Sequence, residues 1–306
     1  VVLRDAGGSF PSAAGFARTV VERHRDVAGV VRVSGPPGRR GGSTATVLAG
    51  KGWIEETLGG IAFRVPADSF FQVNPAAAEQ LVRLVLECAG PRAGTALDLY
   101  AGVGVFALAL ARAGWRVAAV EANRDAVESG RLAAAALGLA PAARFVVAGV
   151  ADHLASSRAD REPPDLVVLD PPRSGFERGV AARIGGLGAA RVALVSCDPA
   201  TLARDARALA AAGYALRRVA PVDLFPQTAH VEAVAAMERA YAAAGVGSFP
   251  YFQLGCLIVG GMTIISLKHK FERMYTNEAV GAFALYTVLV ALFTNPVIDA
   301  IRGMVG

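Results

Sequence analysis

Cysteine, histidine and lysine are all scarce in this sequence. Its 306 residues hold three cysteines, four histidines and, before residue 248, the single lysine Lys51. Cys88, Cys197 and Cys256 are odd in number and far apart, which argues against a disulfide framework and a zinc knuckle and fits a reducing cytosol. His24, His153, His230 and His269 form no spaced cluster with carboxylates or thiols, so no metal site is expected. The chain begins at Val1 with no charged stretch and small-residue cleavage pattern, so nothing at this end reads as a signal peptide. Without an initiator Met, it fits a chain that lacks its true N-terminus.

Apolar residues, by contrast, are abundant. A hydrophobic content of 54% is enough for a sizeable core and for more than one unit, and a formal charge of +5 suits a polyanionic partner. Residues 1–68 read as a small, partial region of short strands joined by turns: 27–33, 44–48, and a hairpin over 53–65 that turns at Gly59-Gly60. Arg39 and Arg40, in the glycine-rich loop between the first two, are either phosphate contacts or solvated loop residues.

From Asn74 onward helices and strands alternate. Residues 75–88 predict a helix capped by Asn74 with Pro75 in its first turn, and strands are predicted at 95–100, 116–121, 143–147, 165–169, 191–196 and from His230 onward. This rhythm predicts an α/β fold, an open doubly wound sheet over 69–245. Residues 246–306 break the pattern. The runs 249–267 and 279–292 are long and apolar enough for two transmembrane helices or a helical hairpin that docks a partner. Lys268 and Lys270 appear only here, as in a fused segment.

The stretch Thr95-Ala-Leu-Asp-Leu-Tyr-Ala-Gly-Val-Gly-Val-Phe-Ala is a strand entering a glycine turn and then a helix. Gly102 and Gly104 let the backbone approach a ligand, and Glu121, ending the next strand, is placed to accept hydrogen bonds from ribose hydroxyls. The spacing of Gly102, Gly104 and Ala107 also satisfies a dinucleotide fingerprint. Asp98 tilts the choice to adenosylmethionine, whose amino acid end is cationic, because a carboxylate there would repel a pyrophosphate.

Two further strand ends carry candidate chemistry. Asp170-Pro-Pro-Arg-Ser-Gly places Asp170 at the ligand-binding edge of the sheet. Cys197 ends the strand 191–196 on the same edge, ahead of a helix whose amides would favour a thiolate. A nucleophile needs a base, and in His230-Val-Glu the period-2 alternation puts Glu232 on the face of His230.

Five blocks, Ser69-Phe-Phe-Gln-Val-Asn, Asp98-Leu-Tyr-Ala-Gly-Val-Gly, Asp170-Pro-Pro-Arg-Ser-Gly, Val195-Ser-Cys-Asp-Pro-Ala-Thr-Leu-Ala-Arg-Asp and His230-Val-Glu, resemble in order the signatures of the RNA uracil-5-methyltransferase family. The resemblance covers residues 27–240. It implies a Rossmann-like domain, a cytoplasmic enzyme, and methyl transfer from S-adenosyl-L-methionine to C5 of a uridine in tRNA or, preferentially, ribosomal RNA. By carry-over, Gln72, Tyr100, Glu121 and Asp170 line the cofactor, Cys197 is the nucleophile and Glu232 the base. The sequence departs from the family at Ala101, where Cys is common, and near Val105, where a polar residue is usual. The family's small N-terminal β-barrel and iron–sulfur cysteines are not seen here.

Overall fold

The computed structural model describes residues 1–5, 9–34, 44–156, 162–228 and 231–240. The loop holding Arg39 and Arg40, His230, and the apolar runs after residue 246 lie outside the described residues. Among those described, no helix is long and apolar enough to cross a membrane.

The chain opens with a three-stranded sheet in the order β1 (Val2–Asp5), β2 (Gly29–Ser34), β3 (Thr44–Gly50), in which β1 and β2 are parallel and β2 and β3 antiparallel. Helix α1 (Ala13–Arg23) joins the first two strands. The reading of 1–68 as strands joined by turns missed this helix. Its buried residues are only Ala13 and Ala17, and a stripe of alanines is a faint apolar signal.

The hairpin forms as expected from β4 (Trp53–Leu58) and β5 (Ile61–Pro66). Gly59 and Gly60 both adopt positive φ, 58° and 70°, as a tight two-residue turn requires. Ile61, Phe63 and Val65 face the core, and the turn is tied down by Arg112, whose Nη1 donates to Gly59 O at 2.7 Å. Helix α2 (Pro75–Ala89) follows, with Asn74 Oδ1 accepting from the Ala77 amide at 3.3 Å.

The remaining elements alternate: β6 (Thr95–Leu99), α3 (Val105–Arg112), β7 (Arg116–Glu121), α4 (Arg124–Ala136), β8 (Ala143–Val147), α5 (Val150–Ser156), β9 (Leu166–Leu169), α6 (Val180–Leu187), β10 (Arg191–Ser196), α7 (Pro199–Ala211), β11 (Tyr214–Val222) and β12 (Glu232–Arg239). They build a seven-stranded sheet in the order β11-β12-β10-β9-β6-β7-β8. Strands β6 to β10 run parallel, while β12 is antiparallel to both β10 and β11. This is the expected α/β architecture.

Two apolar layers sandwich the sheet, and alternate residues of each strand feed them. In β10, Val192 and Leu194 enter one layer while Ala193 and Val195 enter the other. In β9, Val167 and Leu169 oppose Leu166 and Val168 in the same way. Burial of each valine or leucine among them contributes about 1.5–3 kcal/mol, so the strands are fixed in register. What remains adjustable is the edge where the strands end.

Some strand boundaries shift by a residue or two from expectation, and one strand is additional. Asp165 lies just before β9, where its Oδ2 accepts from the Thr95 amide at 2.8 Å and so ties the start of β9 to that of β6. Strand β11 was not anticipated, because its residues 216–219 are all exposed and Pro221 interrupts its pattern.

Candidate active site

Four parallel strands deliver side chains to one edge of the sheet. Leu99 is paired with Val120 and with Leu169, and Leu169 with Leu194, so Tyr100, Glu121 and Asp170 leave the sheet side by side. Cys197 follows β10 on the same edge. An antiparallel neighbour brings its first residue to that edge. The register Ser196↔Ala233 between β10 and β12, carried one step further, sets Cys197 opposite Glu232.

On the β6–β7 side the chain turns through Tyr100 (φ 63°), Gly102 (φ 55°) and Gly104 (φ 91°). A Cβ on Gly102 would point into open space, whereas one on Gly104 would strike the ring of Phe145. Gly104 is thus required by packing alone, and Gly102 leaves a clear approach for a ligand. Glu121 braces the turn: Oε2 accepts from the Gly102 amide at 3.1 Å and Oε1 from the Asn123 amide at 2.8 Å. The Tyr100 hydroxyl donates to Glu177, in the loop after Asp170.

Asp98 lies in β6, fully buried at 0% exposure, and neither of its oxygens has a full hydrogen-bond partner. Burial holds its carboxyl well above the usual range, Asp170 pushes the same way, the Ala107 amide opposes them, and Glu121 adds a smaller upward push. Gln72, in the loop before α2, is also buried, and its Oε1 is unpartnered. That loop is anchored by Asn74 Nδ2, which donates to Leu224 O at 3.2 Å. Buried polar atoms are nearly always satisfied, so these oxygens are acceptors that a bound group could use.

On the β10–β12 side burial raises the proton affinity of each group. Glu232 is 4% exposed, and burial raises its carboxyl. Asp170 keeps part of its surface open, yet its carboxyl is set among protein atoms; burial and the Glu232 charge lift it to about 7. Burial likewise pushes the Cys197 thiol up, with Glu232 and Asp170 adding to the rise, while its own backbone and the Arg173 guanidinium pull it down. The expected thiolate is therefore corrected: desolvation and two carboxylates outweigh the backbone hydrogen bond and the Arg173 guanidinium, and the thiol is held above its usual range. Arg173 was passed over in the sequence, although it stands within Asp170-Pro-Pro-Arg. Among the described residues, no group of three or more His, Cys, Asp or Glu side chains is arranged to hold a metal.

The sequence profile described as tRNA (Uracil-5-)-methyltransferase matches residues 45–143 and 153–240, which is more than half of the chain. The chain belongs to that family. Among its relatives, an uncharacterized RNA methyltransferase of Gloeobacter violaceus is 44% identical over 199 residues, covering 65% of this chain and 42% of its own length. One from Streptomyces coelicolor is 41% identical over 225 residues, 72% of this chain and 47% of that protein. The chain thus spans less than half the length of these relatives. In three dimensions it is similar to the Pyrococcus abyssi tRNA (uracil-54, C5)-methyltransferase solved with S-adenosyl-L-homocysteine, at 27% identity and a TM-score of 0.57, covering 77% of this chain and 55% of that one.

Against the uracil-5-methyltransferase pattern, Ala101 is buried and Val105 half-buried at the start of α3. The backbone of the glycine turn is complete without the side chains usual there.

Proposed function

We propose that this chain transfers a methyl group from S-adenosyl-L-methionine to C5 of a uridine in RNA, with Cys197 as nucleophile and Glu232 as base. The observation that carries the proposal is the register that sets these two residues opposite each other, beside Asp170 and in one crevice edge with the glycine turn.

The residues fit the cofactor. Asp98 offers two unpartnered oxygens to its ammonium group, Gln72 an acceptor, Gly102 an open approach, and Glu121 keeps further lone pairs for ribose hydroxyls after bracing the turn. When bound, S-adenosyl-L-methionine supplies an electrophilic methyl group. Tyr100 and Asp170 line the same crevice.

C5 of uracil is a weak nucleophile. Cys197 Sγ, as thiolate, bonds to C6, and the electron pair of the C5–C6 double bond shifts toward C5 and O4. Arg173 favours the thiolate against the two carboxylates around it. After C5 has gained its methyl group, Glu232 takes the C5 proton, the double bond re-forms, and the bond from C6 to Cys197 breaks. A buried carboxylate with raised proton affinity is suited to this last task. The uracil must leave its stack to enter, which favours a loop or a remodelled segment.

Incubation with labelled cofactor and RNA containing 5-fluorouridine tests the chemistry. Fluorine replaces the proton that Glu232 would remove, so a covalent adduct accumulates at Cys197 and is absent in Cys197→Ala. Cofactor-bound protein without an adduct overturns the mechanism. The sequence reading favours ribosomal RNA, whereas the family profile is named for tRNA; offering both RNAs separates the two.

A further inference from the structure

Asp170 and Arg173 lie on a loop with no regular structure of its own, yet the loop is held by one face of α7 at three points. Thr201 Oγ1 donates to Arg173 O at 3.2 Å, Arg204 Nη2 donates to Ser174 O at 2.7 Å, and Asp205 Oδ2 accepts from the Phe176 amide at 3.2 Å. Asp205 is 2% exposed and is itself gripped by Arg204 through Nε at 2.9 Å and Nη2 at 2.7 Å. The fit leaves no slack: a Cβ on Gly175 would collide with Arg204, Asp205 and Thr201, and its φ of 78° already calls for glycine. The first turn of α7 also begins next to Cys197, where Asp198 Oδ1 accepts from the Thr201 amide at 2.8 Å. One rigid helix thus fixes both the loop and the segment that carries the thiol.

We propose that Thr201, Arg204 and Asp205 are positioning residues that hold backbone 173–176 so that the Arg173 guanidinium stands beside the Cys197 sulfur. This rests on the reading of Cys197 as nucleophile, for which the cation is the counterweight to Glu232 and Asp170. The groups whose charges act on the sulfur are Glu232 from β12, Asp170 and Arg173 from the loop. Arg173 is the cation among them, so its placement adds to the thiolate fraction at neutral pH, against the larger effects of burial and Glu232.

The test reads the thiol directly, without RNA or turnover. Rates of iodoacetamide alkylation at Cys197, followed by peptide mass spectrometry so that the other cysteines do not interfere, are measured against pH in the full chain. Arg173→Ala sets the scale, with an expected slowing of about threefold near neutral pH as the thiolate loses its cation. Arg204→Ala slows the rate in the same direction, Arg204→Lys recovers part of it, and Arg173→Ala combined with Arg204→Ala is no slower than Arg173→Ala alone. The loss of the half-exposed Arg204 leaves the buried Asp205 without its cation, so Thr201→Val provides the same readout should that variant fail to fold. A mere loosening of the loop would uncover the sulfur and quicken alkylation. An unchanged or faster rate in Arg204→Ala, or an unchanged rate in Arg173→Ala, overturns the positioning role. Failure of the methylation reading shows separately, as a missing adduct with 5-fluorouridine RNA in the unaltered chain.

Discussion

Asp98 and Asp205 are both carboxylates buried in the same fold, and their surroundings are opposite. Asp205 receives an amide and two guanidinium hydrogens from its own chain. Asp98 receives no full hydrogen bond and keeps two acidic neighbours. A buried charge costs several kcal/mol unless it is paired. The satisfied carboxylate therefore belongs to the architecture, and in the proposed function the deprived one is left for the cationic end of the cofactor.

The largest effect expected from this contrast is on ligand affinity. Asp98→Asn keeps the shape but removes the anion, so S-adenosyl-L-methionine, measured by calorimetry, should bind roughly 30-fold to 1000-fold more weakly, the loss typical of a buried charged pair missing one partner. The melting temperature of the ligand-free variant should equal or exceed that of the unaltered chain. A variant that binds normally, or melts well below the parent, breaks the contrast.

Asp205→Ala should behave in the reverse sense. Stripping the Phe176 amide and Arg204 of their acceptor costs about 1–3 kcal/mol in urea unfolding, with cofactor affinity little altered.

A smaller effect comes from Asp170, whose carboxyl is lifted to about 7. The folded chain holds this proton more tightly than the unfolded chain, where the group titrates at about 3.9. Its ionisation therefore subtracts stability, beginning near the unfolded value and reaching full size once the pH has risen through the folded one. Asp98 and Glu232 are shifted the same way. Melting temperatures of the unaltered chain and Asp170→Asn should diverge, in favour of the variant, as the pH rises from about 5 to about 8. A constant gap would place the Asp170 proton elsewhere.

Much of the sheet could be read from the chain itself, because strands buried on both faces are continuous apolar runs; β7, β8 and β10 begin and end where the runs do. Strand β11 escaped because an exposed edge strand carrying Arg217, Arg218 and Pro221 has no apolar alternation to detect. Cys197, Glu121 and Asp170 were legible as polar residues at strand tips. Gln72 entered only through the family resemblance, since an amide in a loop carries no periodic mark. The grip of Arg204 and Asp205 on residues about 30 positions earlier is invisible to local pattern, as is the net upward pull on Cys197, which depends on burial and on charges from other strands.

The reversed direction of β12 has a consequence for how the molecule is made. Synthesis proceeds from the N-terminus, and the glycine turn, the Asp170 loop and Cys197 all precede Glu232. On the proposed function, a nascent chain exposing everything up to β11 would already possess a sulfur and a place for its methyl donor, but no proton acceptor opposite them. That acceptor would arrive last, when β12 enters between β10 and β11 and closes the gap in the sheet.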